Sequence, residues 1–222
     1  IGCFASAGLF SVLASSGLNV TLIAALHCAI VLVLLAVFGR HLLDYKSPGG
    51  EKAFAIPRGI VIVLGILACI SFLVEGSVMD WSGVLLTEVK NMDIALAGTG
   101  YAIFSVAMLI MRLLGDKTVQ FLGEQKAVIG GSIVTAAGFA LVVVLDNLYL
   151  NAFAFILIGL GCANIVPVFY SLLKYQKDMP ISAAVTSVTS LGYTGVILGP
   201  ALLGFVAHGI NISAVFELVA LL

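Results

Sequence analysis

Residues 19–38 form a run of twenty positions without a single Asp, Glu, Lys or Arg. About 20 apolar residues in a helix cross the hydrocarbon core of a bilayer. Comparable runs follow at 58–86, 96–114, 127–145, 151–173 and 183–207, and another begins at 214–222. In lipid every backbone polar group needs an internal partner, which leaves helices or a closed barrel. The short alternating strands of a barrel are not in this pattern. The expected fold class is therefore all-α, a polytopic transmembrane helix bundle. Composition agrees: 62% of residues are hydrophobic and 9% charged, against about 25% charged in soluble domains.

Several function classes fall away. The formal net charge is -1 and no basic tract exists, so no nucleic-acid partner is expected. No nucleotide-binding motif appears, which disfavours an ATP-driven pump. Cys3, Cys28, Cys69 and Cys162 lie in apolar stretches without a CxxC pair or Cys/His cluster. They read as buried cysteines, with no metal and no cofactor expected. His27 and His208 have no clustered partner. No His/Glu metal set or Ser-based nucleophile constellation sits within the spans, so an intramembrane enzyme is the weakest reading.

The opening residues 1–16 are apolar, with no basic n-region or cleavage site, and read as a helix entered partway. Residues 214–222 would cover only roughly 14 Å at 1.5 Å per residue. The chain is expected to be a piece of a longer one, cut at both ends. Residues 39–57 are polar and rich in Pro, Gly and Ser, which marks a linker between two bundles. The expected domains are 1–38, the last two helices of one bundle; 39–57, the linker; and 58–222, a second bundle truncated in its last helix. Loops are expected at 87–95, 115–126 and 174–182, with Pro167 and Pro200 interrupting their spans. Alternating the loops across the membrane places Arg40, Lys46, Lys52, Arg58, Arg112, Lys117, Lys126, Lys174 and Lys177 on one side, and Lys90 alone on the other. The positive-inside rule makes the linker side cytoplasmic, in a multi-pass protein of the cell membrane.

Glu75 is the residue that asks most of this fold. A carboxylate in mid-span costs roughly +2.5–3.5 kcal/mol or more. It survives beside a watery cavity or a partner, and Ser71, Gly76 and Ser77 leave room for either. Two readings stay open: a site for solute or a coupling proton, and a structural carboxyl paired with a neighbouring helix. Asn164 lies about 15 Å along the helix from Lys174. Its amide would meet the solute or the carbonyls freed by Pro167, and it is expected to share a cavity with Glu75. Tyr170 and Tyr193 offer hydroxyls suited to a sugar or polyol, or simply pack with one bond satisfied. Asp80 and Trp81 fit an interfacial belt or an outer gate.

The linker followed by about six helices resembles the middle and second half of a major facilitator superfamily transporter. Three motifs carry the resemblance. Arg112-Leu-Leu-Gly115-Asp116-Lys117, with Gly123-Glu124-Gln125-Lys126 after it, is similar to the signature between helices eight and nine. Gly159-Leu-Gly161-Cys-Ala-Asn164-Ile-Val-Pro167 in helix ten, and Gly192-Tyr193-Thr194-Gly195 with Gly199-Pro200 in helix eleven, resemble the sugar-permease-like branch. With Glu75-Gly76-Ser77 and Asp80-Trp81-Ser82, the set resembles the MosC-type group. The resemblance implies a secondary transporter of a small polar solute working by alternating access, in a bacterial inner membrane. It also implies that the absent N-terminal half of the same chain completes the site. Arg112, Gly115 and Asp116 would then form a cytoplasmic latch, made in one state and lost in the other. A non-transporting scaffold or sensor, and a drug or metabolite exporter, are the alternatives on the same fold.

Overall fold

A computed structural model of the chain describes residue 13, residues 19–39 and residues 56–222. The N-terminal run 1–16, apart from residue 13, and most of the expected linker lie outside the described residues. The chain divides into two compact units, residues 1–51 and 52–222. In the first, helix α1 (Val20–Phe38) is capped by Asn19, whose side chain accepts the Leu22 N–H at 2.8 Å.

The second unit carries the rest. Helix α2 (Ile60–Val84) continues into a π-helical turn (Leu85–Val89) and a short 3₁₀ turn (Ile94–Leu96). Then come α3 (Thr99–Leu113), α4 (Gly115–Leu122), α5 (Glu124–Val144), α6 (Leu148–Cys162), α7 (Ile165–Leu172), α8 (Ile181–Gly209) and α9 (Ile212–Leu221). No strand occurs among the described residues, and six helical segments there are long and apolar enough to cross a bilayer. This is a multi-pass, all-helical membrane protein.

Three local expectations change. The segment expected as a loop at 115–126 is mostly helix α4, which ends at Gly123. That residue has φ +84°, a conformation that favours glycine, and α5 starts directly after it. The expected loop at 87–95 begins as the π turn that prolongs α2. Pro200 lies inside α8 without interrupting it. A proline removes one backbone bond, and transmembrane helices tolerate this when neighbours hold the helix in place.

The principal core joins α2, α3, α5, α6 and α9. Phe139 on α5 and Phe216 on α9 meet at 5.8 Å between ring centroids, with Phe155, Ile158 and Val142 fully buried around them. A second cluster of Val61, Leu64, Phe169, Leu173 and Val188 ties α2 to α7 and α8. The α2–α8 contact is close enough that a Cβ at Gly195 would strike the carbonyl of Cys69. At one end of the bundle Lys90 is buried, its side chain 3% exposed. Its ammonium donates to the Val143 carbonyl at 2.7 Å and to Asp146 Oδ1 at 2.8 Å. It thus satisfies an end carbonyl of α5 and complements the negative pole there.

Candidate functional site

Pro167 sets the site's geometry. A proline has no N–H and its ring crowds the carbonyl four residues earlier. That carbonyl belongs to Ala163, and the helix breaks there: α6 ends at Cys162 and α7 starts at Ile165. Asn164 caps the restart, its carbonyl accepting the Val168 N–H at 3.1 Å. The freed Ala163 oxygen takes a bond from the next helix instead, because Arg112 Nε on α3 donates to it at 3.3 Å.

The same guanidinium reaches α2. Arg112 Nη2 lies 3.5 Å from Glu75 Oε1, an ion pair with the carboxylate 18% exposed and the arginine 45% exposed. Oε1 is itself buried and makes no aligned hydrogen bond. The pair is therefore a charge contact with room to tighten. One arginine thus holds a carboxylate on α2 and a broken-helix carbonyl after α6. Asn164 closes the junction from the side: its Oδ1 lies over Gly115, where an added Cβ would come within 2.5 Å. A side chain at residue 115 would push the amide away.

Beside Glu75 is a hollow of about 70 Å³, lined by Ser71 on α2, Ser132 and Thr135 on α5, Cys162 on α6 and Val219 on α9, among others. Ser71 donates its proton to the Leu67 carbonyl at 2.9 Å and Thr135 to that of Gly131 at 2.9 Å. Thr135 Oγ1 also lies 3.6 Å from Cys162 Sγ. Asn164 does not line it, although Cys162 and Ile165 on either side do. Glu75 lines this hollow, and Asn164 sits at the α6–α7 break next to it.

No family model matches the chain. Among curated proteins, an uncharacterised MFS-type transporter of Yersinia pestis is 39% identical over 223 residues, covering 100% of this chain and 58% of the relative. An uncharacterised transporter of Sinorhizobium fredii is 30% identical over 81% of this chain and 49% of its own length. Membrane protein MosC of Rhizobium meliloti is 26% identical over 78% of this chain and 43% of its own length. The chain belongs to the major facilitator superfamily. It spans about half the length of the relatives it matches.

Arg112 turns inward to Glu75 rather than to Asp116. Asp116 is exposed in the first turn of α4, where a carboxylate complements the helix dipole. Tyr170 donates to Thr189 Oγ1 at 2.9 Å, since the threonine's own proton goes to the Val185 carbonyl. Tyr193 stacks on Phe72 at 5.5 Å and 17°. Asp80 is exposed. The Trp81 ring packs against Gly204 on α8, and its indole N–H is buried without a partner among the described residues. Sequence reasoning did not single out Thr135, Ser132 or the Ala163 carbonyl. The position of Pro167 was the signal for the last of these, because it names the carbonyl that must look elsewhere.

Proposed function

We propose that this chain forms part of a secondary transporter that moves a small polar solute, of sugar, polyol or related chemistry, by alternating access. In this reading Glu75 carries the coupling proton. The observation that supports it is the single guanidinium shared by Glu75 and the Ala163 carbonyl. Ionised Glu75 holds Arg112 across α2 and α3. When the carboxylate takes a proton it loses its charge, and Arg112 keeps only the carbonyl at the α6–α7 break. The break is a ready hinge, because its backbone bond is already gone. Protonation would thus be linked to bending of the helix beside the solute path, as alternating access requires. The Lys and Arg distribution supports a cytoplasmic linker.

The test is transport by the full-length protein in proteoliposomes. Glu75→Gln keeps size and hydrogen bonding but cannot titrate. Accumulation against a gradient should be lost while solute exchange continues. Identical pH profiles for wild type and Glu75→Gln would remove Glu75 as the proton site. Absence of any solute flux in the wild type across a broad panel would favour a scaffold or sensor.

A further inference from the structure

At the Lys90 end of the bundle, the π turn that prolongs α2 meets the first turns of α3 and α6. Asn151 is the fourth residue of α6 and is 1% exposed. Its backbone N–H is used within the helix, donating to the Asn147 carbonyl at 2.9 Å. Its side chain is not used. Neither Nδ2 nor Oδ1 has a hydrogen-bond partner among the described residues. A side-chain amide can donate two bonds and accept two, and buried polar groups in folded proteins are nearly always paired. The other asparagines near helix starts show the ordinary pattern. Asn147 accepts the Tyr149 N–H and Asn211 the Ala214 N–H.

Asn151 lies in the wall of a hollow of about 10 Å³, with Leu86 of the π turn, Thr99 and Ile103 of α3, and Leu148 and Phe155 of α6, among others. The walls are closely packed. A Cβ at Gly100 would come within 2.8 Å of the Phe155 ring and 3.3 Å of Leu86. The volume is about that of one water-sized sphere, which rules out any larger ligand. No charged residue lines the hollow, so an ion would find no counter-charge there. Small apolar hollows stay dry, but one with two or more polar partners holds a water. Thr99 Oγ1 donates to the Leu96 carbonyl at 2.7 Å, and a hydroxyl that donates can still accept. Asn151 adds a donor and an acceptor. Three polar groups are thus available to one small molecule.

We propose that this hollow is a binding site for a single water molecule, held by the Asn151 amide and Thr99 Oγ1. The water bridges the start of α6 to the start of α3, a contact nearly as good as a direct hydrogen bond. At the same end Lys90 reaches the last turn of α5 directly. This end of the bundle is therefore closed by one charged side chain and one water bridge. The inference does not depend on the reading of the chain as part of a transporter.

The experiment is radiolytic footprinting of the full-length protein in detergent. An X-ray pulse splits water into hydroxyl radicals, and a bound water releases its radical beside its neighbours. Oxidation is then mapped by mass spectrometry. Phe155 is 1% exposed and lines the hollow; Phe139 is 0% exposed, lies in the same core and does not line it. Phe155 should be oxidised and Phe139 should not. Asn151→Val removes the amide, and oxidation of Phe155 should fall to the level of Phe139. Equal, low oxidation of both rings in the wild type would show a dry hollow and overturn the proposal. Oxidation of Phe155 that persists in Asn151→Val would show a water not held by the amide, with the same consequence. Should Asn151→Val fail to fold, a wild-type density map that resolves waters decides. It should show a peak within about 2.7–3.2 Å of both the Asn151 amide and Thr99 Oγ1. An absent peak, or an Asn151 amide bonded instead to another part of the full-length chain, would overturn the site.

Discussion

Arg112 donates to the carbonyl of Ala163 because Pro167, four residues further on, cannot. One covalent feature of α7 thereby recruits a side chain from α3, and the same side chain meets Glu75 of α2 at 3.5 Å. Three helices share a junction through a single guanidinium. Most of the consequences concern what happens when one member is changed.

Arg112→Met should destabilise the full-length protein by about 1–3 kcal/mol, since it takes the donor from the Ala163 carbonyl and the counter-charge from Glu75. The double variant Glu75→Gln with Arg112→Met should recover most of that loss. Arg112→Lys should fall between, since a lysine is a point charge without the fork that reaches two acceptors. Thermal unfolding of the purified proteins in one detergent checks the series. Equal losses for the single and double variants would show that the pair is not coupled.

Pro167→Ala restores an N–H that can bond Ala163. The α6–α7 break should close toward a continuous helix. Proline in a helix interior costs about 3 kcal/mol or more, so stability should hold or rise. Transport should slow, because the hinge stiffens and Arg112 must compete for its acceptor. Unfolding temperature and uptake rate should move in opposite directions, and parallel movement would contradict the hinge.

Gly115→Ala places a methyl where the Asn164 amide now sits, at a hypothetical 2.5 Å from Oδ1. Overpacking of this kind costs about 1–3 kcal/mol. Asn164→Ala in the same chain should relieve much of it. A double-mutant cycle on unfolding free energy measures the coupling, and simple additivity would place the two residues apart.

Lys90→Met should cost about 1–3 kcal/mol, since the Val143 carbonyl loses its donor inside the bundle. Asp146→Asn should cost less, about 0–1 kcal/mol, because the aspartate is 87% exposed. If the two variants are equally damaging, the ion pair rather than the helix-end carbonyl dominates.

Hydropathy alone determined the membrane, the helices and their approximate ends. Such runs in lipid have few other ways to satisfy their backbones. Glu75 was legible as costly wherever it stood, and Pro167 marked a disturbed turn. Helix α4 was hidden because eight mixed residues carry no span-length signal, and its end at Gly123 depends on one backbone angle. The partner of Glu75 was hidden for a different reason. Arg112 lies 37 positions away in the sequence, beside Asp116, and local spacing favoured that neighbour. Side-chain identity sets what a residue costs in a bilayer, and that much is read one position at a time. Which carboxylate meets which guanidinium depends on how separate helices cross, and only the tertiary structure decides that.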